Sequence, residues 1–299
     1  MRWVRDYIPQ QAGQSKLYRE ALIITLGGNI VLAISKAIVA YLSGSVALYS
    51  DAANSVSDVV YSLLMVLGLW MAQRPPDISH PQGHSRFEPL IGLVVTASMA
   101  FAGFEAARAS INRFIEGGMA VDPGLPTVIL LVSAAIKVGM YLRIHWIAMR
   151  LSSSILATTA RDNLSDVFTS VAAFLGAFGS KYIHPLTDPI AGILVAAWIF
   201  RMVFLAAREN LGFLTGQGAD EELRQRLVAV ATEVPGVQRV HHLMSEYTGP
   251  RLVVDLHINV EGSITLFQAH DIADEVIARL EALPEVDRAY VHIEPVGYE

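Results

Sequence analysis

Two pairs of polar residues stand in stretches that otherwise avoid water. In Ser50-Asp51-Ala52-Ala53-Asn54-Ser55-Val56-Ser57-Asp58, Asn54 and Asp58 are four residues apart. Arg161-Asp162-Asn163-Leu164-Ser165-Asp166 repeats the spacing with Asp162 and Asp166. On a helix, residues four apart lie about 40° from one another and one turn along, so each pair shares a face. Facing one another, the pairs offer three carboxylates and one amide oxygen, a set that suits a hard divalent cation. A charged group within an apolar span costs about 2.5 to 3.5 kcal/mol to insert, which marks these residues as functional by default. The plainer alternative is that they line a polar cavity or pair with helix ends.

Two further clusters hold imidazole. Between the second and third apolar stretches lies Asp77-Ile78-Ser79-His80-Pro81-Gln82-Gly83-His84-Ser85-Arg86-Phe87-Glu88, where Asp77, His80 and His84 can converge on a metal that accepts nitrogen and oxygen. A solvated loop whose histidines cap helices is the competing reading, and Arg86 and Glu88 are expected to fix the loop to a neighbouring element. Five of the nine histidines, His241, His242, His257, His270 and His292, fall in the last 91 residues. His257 and His292 are expected on strands and His270 on a helix. Glu294, two residues after His292, points to the same sheet face.

These residues sit in two unlike parts. The chain has 299 residues, 53% apolar and 17% charged, against about 25% charged in a soluble domain. Six apolar stretches long enough to cross a bilayer run from Ala21 to Leu42, Val46 to Met71, Pro89 to Ile111, Thr127 to Ile147, Leu156 to Tyr182 and Ile190 to Ala207. The fifth is the least hydrophobic. Residues 209–299 carry six Lys+Arg against 16 Asp+Glu, whereas residues 1–208 carry 16 against 12. The expected division is therefore a transmembrane domain, 1–208, and a cytoplasmic domain, 209–299, with a hinge at Gly212 to Gly218. Arg2, Arg5, Lys16, Arg19, Arg74, Arg86, Arg143, Arg150 and Arg161 fall on one side if the spans alternate, which places both termini in the cytoplasm. The first 20 residues are polar and do not read as a signal peptide. Beyond the spans, helical periodicity from Asp220 to Val234, alternation through Val240 to Tyr247 and Leu252 to Val260, a helical pattern from Leu266 to Leu283 and a strand from Arg288 to Pro295 give α-β-β-α-β, a small α+β sandwich. No cysteine is present, which removes disulfides, thiolate metal sites and cysteine nucleophiles. A net charge of −6 leaves no footprint for nucleic acid.

At this point the residues resemble the cation diffusion facilitator family of proton-coupled divalent-metal exporters, from about Ser15 to Pro295. The paired motifs of the second and fifth spans, the His-Pro-x-Gly-His-x-Arg-x-Glu loop (His80 to Glu88), and the tail's Val-Pro-Gly-Val, Gln-Ala-His and Val-His-x-Glu-Pro carry the likeness. The resemblance implies six transmembrane helices with a C-terminal metallochaperone-like domain, assembled as a homodimer. It implies a transport site at Asn54, Asp58, Asp162 and Asp166, a loop site at Asp77, His80 and His84, and tail ligands at His241, His257, His270, His292 and Glu294. A metal ordering the tails would stabilise the dimer. His242 stands where some members have Asp, and its role is open.

Zinc-transporting members commonly have a His in the transport quartet. Its absence here resembles the manganese branch, and an all-oxygen site suits Mn²⁺ or Mg²⁺, though Fe²⁺, Co²⁺ and Zn²⁺ stay open because oxygen ligands alone do not invert their affinity order. The expected activity is Mn²⁺ efflux by alternating access, with protons returning to Asp58, Asp162 and Asp166. The expected setting is a bacterial inner membrane, with no prosthetic group. Asp51 and Asp188 are read as caps or pairing partners or as an outer vestibule, Lys36 as pairing with a buried carboxylate or reaching an interface, and Glu105 as pairing with Arg108. Two rivals are a membrane di-metal enzyme, which lacks its Glu-x-x-His signature here, and a membrane-anchored metal sensor, which leaves the quartet unexplained.

Overall fold

The computed structural model describes residues 4, 12–43, 46–118 and 125–297. The chain divides into two compact units, Met1–Asn210 and Leu211–Glu299.

The first unit is built from six long helices: α1 (Ala12–Ser43), α2 (Val46–Ala72), α3 (Phe87–Ile115), α4 (Leu125–Leu151), α5 (Ser154–Tyr182) and α6 (Thr187–Leu214). Helix α1 packs on α2 and α4, α4 on α5, and α3 on both α2 and α5. Met65, Leu69, Ile144, Ile147, Ile155 and Leu156 form the fully buried apolar centre where α2, α4 and α5 meet. Large apolar side chains such as Ile23, Val31, Ile34, Leu67, Phe101, Phe104, Leu194 and Phe204 point outward. Asn29, Ser62, Lys137, Thr158, Asn163 and Asn210 are buried. That inverts the pattern of a soluble bundle and is what helices in lipid require, since polar side chains gain only by meeting one another.

Five of the six helices are long and apolar enough to cross a membrane: Gln14–Val39 within α1, Ser55–Ala72 within α2, then Phe87–Ile115, Val128–Leu151 and Thr187–Leu214. Helix α5 falls short in composition and not in length. Its 29 residues extend about 43 Å at 1.5 Å per residue, but Arg161, Asp162, Asn163 and Asp166 lower its hydropathy. Two of the residues that make α5 a poor membrane helix, Asp162 and Asp166, are the ones singled out for chemistry.

The α4–α5 connection is a tight reversal. Ser152 adopts φ 49°, a left-handed position that ends α4, and the Ser153 N–H donates back to the Ala148 carbonyl. The Ser153 hydroxyl then accepts from the Leu156 N–H and caps α5.

The second unit adds α7 (Glu221–Thr232), β1 (Arg239–Tyr247), β2 (Leu252–Val260), α8 (Leu266–Glu281) and β3 (Val286–Pro295), the α-β-β-α-β order read from periodicity. The sheet order is β1-β2-β3, with β1 antiparallel and β3 parallel to β2, so α8 is the crossover that parallel strands need. On one sheet face Leu252, Val254, Leu256, Ile258 and Val260 bury themselves against Leu227 of α7 and Val276 and Leu280 of α8. Asp255, His257 and Asn259 alternate onto the other face. A full capping box at Thr265 and Gln268 starts α8.

Candidate functional site

Helices α2 and α5 bring Asp58 and Asp162 to one narrow cavity. Thr25 and Asn29 of α1, Tyr61, Ser62 and Met65 of α2, Val95 of α3, and Thr159 and Asn163 of α5 complete its wall. About 10 Å³ is open to the centre of a water-sized particle, room for one. Asn29 Nδ2 donates to Ser62 Oγ at 2.8 Å, and Ser62 Oγ donates to the Asp58 carbonyl at 2.7 Å. Asn163 Nδ2 donates to the Thr159 carbonyl at 3.0 Å. Each bond uses an amide nitrogen and leaves the oxygen over: Asn29 Oδ1 and Asn163 Oδ1, with the Thr25 hydroxyl, are buried without a hydrogen-bond partner among the described residues. Unpaired buried oxygens beside two carboxylates match a cation or an ordered water.

Asp166, one turn beyond Asp162, meets Asp58 through Lys137 of α4, which sequence reading did not single out. The Lys137 ammonium is 2.7 Å from Asp166 Oδ2 and 3.2 Å from Asp58 Oδ2. Its side chain is 6% exposed. Lys36 of α1, also buried, acts electrostatically on Asp58. The side chains of Asn54 and Asp51 lie outside the described residues; the α2 backbone sets Asn54 one turn before Asp58.

The loop between α2 and α3 folds its three expected ligands together. The Gly83 N–H donates to the His80 carbonyl in a turn that needs the left-handed φ of Gly83, +97°. The His80 N–H donates to Asp77 Oδ1 at 2.7 Å. Asp77 Oδ2 then lies 3.4 Å from His84 Nε2, and Asp77 Oδ1 lies 3.5 Å from His80 Nδ1. Two ligands at about 2.0–2.2 Å from a tetrahedral ion are about 3.4 Å apart, so this donor set fits one metal. The backbone hydrogen bond from His80, helped by the charges of the His84 and His80 rings, holds the Asp77 carboxyl below the usual carboxylate range.

Four residues after His84, Glu88 carries the loop's anchor. It is buried in the first turn of α3, takes a hydrogen bond from the Ser153 hydroxyl and another from the Ile155 N–H at 3.4 Å. The expected fastening of the loop is thus to the start of α5, the helix of Asp162 and Asp166.

In the tail, His241, His257 and Glu294 gather on the sheet face away from the helices. Glu294 Oε2 is 3.1 Å from His241 Nε2, and Oε1 is 3.5 Å from His257 Nδ1. Asn259 Oδ1 lies 2.9 Å from His241 Nδ1. With Nδ1 donating to that amide oxygen, Nε2 is the ring nitrogen turned to the cluster and the one a metal held there would take. Strict alternation would send His241 and His242 to opposite faces. A bulge between Val240 and His242 sets both rings beside His257, at 5.6 and 4.8 Å between centroids. His292 is peripheral: its Nε2 is 3.3 Å from Glu294 Oε1 but its side chain is 61% exposed. His270 is not in the cluster. It stands on α8, across the sheet, with Asp274 at 3.6 Å.

Of the remaining expected pairs, Arg108 lies 3.8 Å from Glu105, and Asp188 is bound to Arg113 at 2.9 Å, beside a groove lined by Ser110 and Thr169.

Comparison with known proteins gives two family matches: the cation efflux transmembrane domain over residues 22–215 and the cytoplasmic, dimerising domain of cation efflux proteins over residues 219–296. The chain is 34% identical to "Uncharacterized transporter MJ0449" of Methanocaldococcus jannaschii, over 92% of this chain and 97% of that one. It is 32% identical to "Magnetosome protein MamM" of Paramagnetospirillum magneticum, over 85% and 81% respectively. It is 25% identical to "Manganese efflux system protein MneS" of Bacillus subtilis, over 92% and 94%.

Proposed function

We propose that this chain, which belongs to the cation efflux, or cation diffusion facilitator, family of divalent-cation exporters, carries Mn²⁺ in exchange for protons as a homodimer. The observation that carries this reading is the cavity between α2 and α5: Asp58 and Asp162 face it, and among the described residues the oxygens of Thr25, Asn29 and Asn163 line it without partners and no imidazole does. Oxygen donors without nitrogen favour Mn²⁺ over zinc relative to a histidine-containing site. The manganese efflux protein among the relatives points the same way.

Asn54, Asp58, Asp162 and Asp166 form the transport site in this reading. The ion enters from the cytoplasm, where both termini lie, reaches Asp58 and Asp162, and leaves outward as protons take its place on the carboxylates. Proton and metal compete for the same lone pairs, so each expels the other. Asn54 supplies an oxygen and does not titrate. The loop triad (Asp77, His80, His84) and the tail triad (His241, His257, Glu294) bind further divalent ions that regulate and do not travel. His292 joins the tail triad from its rim. His270, on the opposite sheet face, reaches such an ion only from a second chain, which gives tail metal a reason to stabilise the dimer.

The test is uptake into proteoliposomes of Mn²⁺, Zn²⁺, Fe²⁺ and Co²⁺ compared at equal concentration. Mn²⁺ is expected to give the highest kcat/KM. Zinc ahead of manganese would discard the inference from the missing histidine and keep the exporter; no flux of any ion would favour an anchored sensor.

A further inference from the structure

We propose that Lys137 is the built-in competitor of the transported ion: its ammonium occupies carboxylate oxygens that the ion must take over, and it has to move aside in every cycle. This rests on the transport site proposed above and goes beyond it. Lys137 comes from α4, outside the two helices that bear the quartet.

Three observations carry it. First, the ammonium bridges two carboxylates from different helices, 3.2 Å from Asp58 Oδ2 and 2.7 Å from Asp166 Oδ2. Those separations leave no space for a metal with ligand distances near 2.1 Å on the same two oxygens. Second, the side chain is 6% exposed within the bundle, where water screens little, so the contact is strong in either arrangement. Third, the bridge divides the carboxylates. Asp58 and Asp166 are engaged with Lys137; Asp162 shares the cavity wall with Asp58 and with the unpaired oxygens of Thr25, Asn29 and Asn163.

The sequence of events follows from the division. An arriving dication is first held by Asp162 and the neutral oxygens. It then competes for Asp58 with a group of half its charge on a flexible stem. A long lysine side chain can withdraw without moving its helix. Once the ion has left and the protons that replaced it have been released, the ammonium returns and keeps two buried carboxylates from facing each other uncompensated, which would be costly. The lysine therefore weakens binding and speeds release, as an exporter requires.

The test is Mn²⁺ and Zn²⁺ uptake by the full-length protein in proteoliposomes, with KM and maximal rate measured separately for wild type, Lys137→Met, Lys137→Arg and Asp162→Ala. Lys137→Met is expected to lower KM by roughly tenfold or more, equivalent to about 1.4 kcal/mol, and to lower the maximal rate because release slows. The shift is expected to be alike for Mn²⁺ and Zn²⁺, since it removes a charge and not a ligand. Lys137→Arg, which keeps the charge, should hold KM well above that of Lys137→Met. If Lys137→Met does not assemble, Lys137→Gln preserves hydrogen bonds to both carboxylates and is read in the same way. An unchanged or higher KM in the neutral variant would overturn the proposal and make Lys137 a scaffold for its partners. Asp162→Ala separates the two ideas. Transport lost in Asp162→Ala with KM unmoved in Lys137→Met rejects the competitor alone, whereas transport retained in Asp162→Ala rejects the site beneath it.

Discussion

Replacing Glu88 by alanine should loosen the beginning of α5 and, with it, the transport carboxylates. Glu88 is 4% exposed and accepts from the Ser153 hydroxyl and the Ile155 N–H at the end of a helix whose first N–H groups have no partners within it. Truncation leaves both donors buried without an acceptor, at about 1–3 kcal/mol each. It also removes a carboxylate from a helix N-terminus, worth about 0.3–2 kcal/mol. Relief of the cost of burying that carboxylate offsets part of the sum, for a net local loss of about 2–4 kcal/mol. Glu88→Gln retains an acceptor oxygen and should cost about 1 kcal/mol, the charge-assisted increment. The chain has no cysteine, so a Ser154→Cys probe, nearly isosteric at a buried position beside the clasp, is the only thiol to react. If it reacts through local opening, 2–4 kcal/mol corresponds to a rise of roughly 30-fold to several-hundred-fold in labelling rate, at 1.4 kcal/mol per tenfold. The expected order is Glu88→Ala above Glu88→Gln above the Ser154→Cys parent. Labelling of Glu88→Ala as slow as the parent would refute the clasp.

Other consequences are independent of that one. Asp77→Asn keeps an oxygen for the His80 N–H and so the turn, but loses charge: bound metal per chain should fall by about one ion equivalent with the metal-free unfolding temperature unchanged, while Asp77→Ala should lose the ion and about 1 kcal/mol as well. Because the Asp77 carboxyl is held below its ordinary range, its support of the turn is present at neutral pH and fades only as pH falls through that lowered value; acid titration of Asp77 by carboxyl-resolved NMR should find it ionised below the usual carboxylate midpoint. In the tail, His257→Ala should weaken divalent binding by at least tenfold by calorimetry on the full chain, and His241→Ala likewise, whereas His242→Ala should have a smaller effect. Thr265→Ala removes the α8 capping box and should destabilise the tail by about 0.5–2 kcal/mol in denaturant unfolding.

The parts of this molecule that periodicity governs were legible in its sequence. Apolar runs announced the membrane helices, and alternation announced β1, β2 and β3. The i, i+4 spacing placed Asp162 and Asp166 on one face, and the closeness of Asp77, His80 and His84 in sequence let them be read as one cluster. What periodicity does not encode is which helix supplies the counter-charge. The rule that marks buried aspartates in an apolar span applies equally to Lys137, alone in the middle of α4, but its partners lie on α2 and α5, more than 25 residues away in either direction, and only the packing reveals them. The bulge that brings His241 and His242 to the same neighbour was hidden for a similar reason: one added residue shifts the register without altering composition. His270 shared the tail's enrichment in histidine, yet the crossover of α8 carries it to the opposite side of the sheet.

The most direct test is Mn²⁺ uptake into proteoliposomes while a trapped dye follows lumenal pH, in wild type and in Asp162→Ala with the loop and tail clusters intact. Wild type should take up Mn²⁺ as protons move the opposite way, and Asp162→Ala should do neither while retaining the metal held by His84 and His257. Mn²⁺ uptake with proton movement undiminished in Asp162→Ala would contradict the account at its centre.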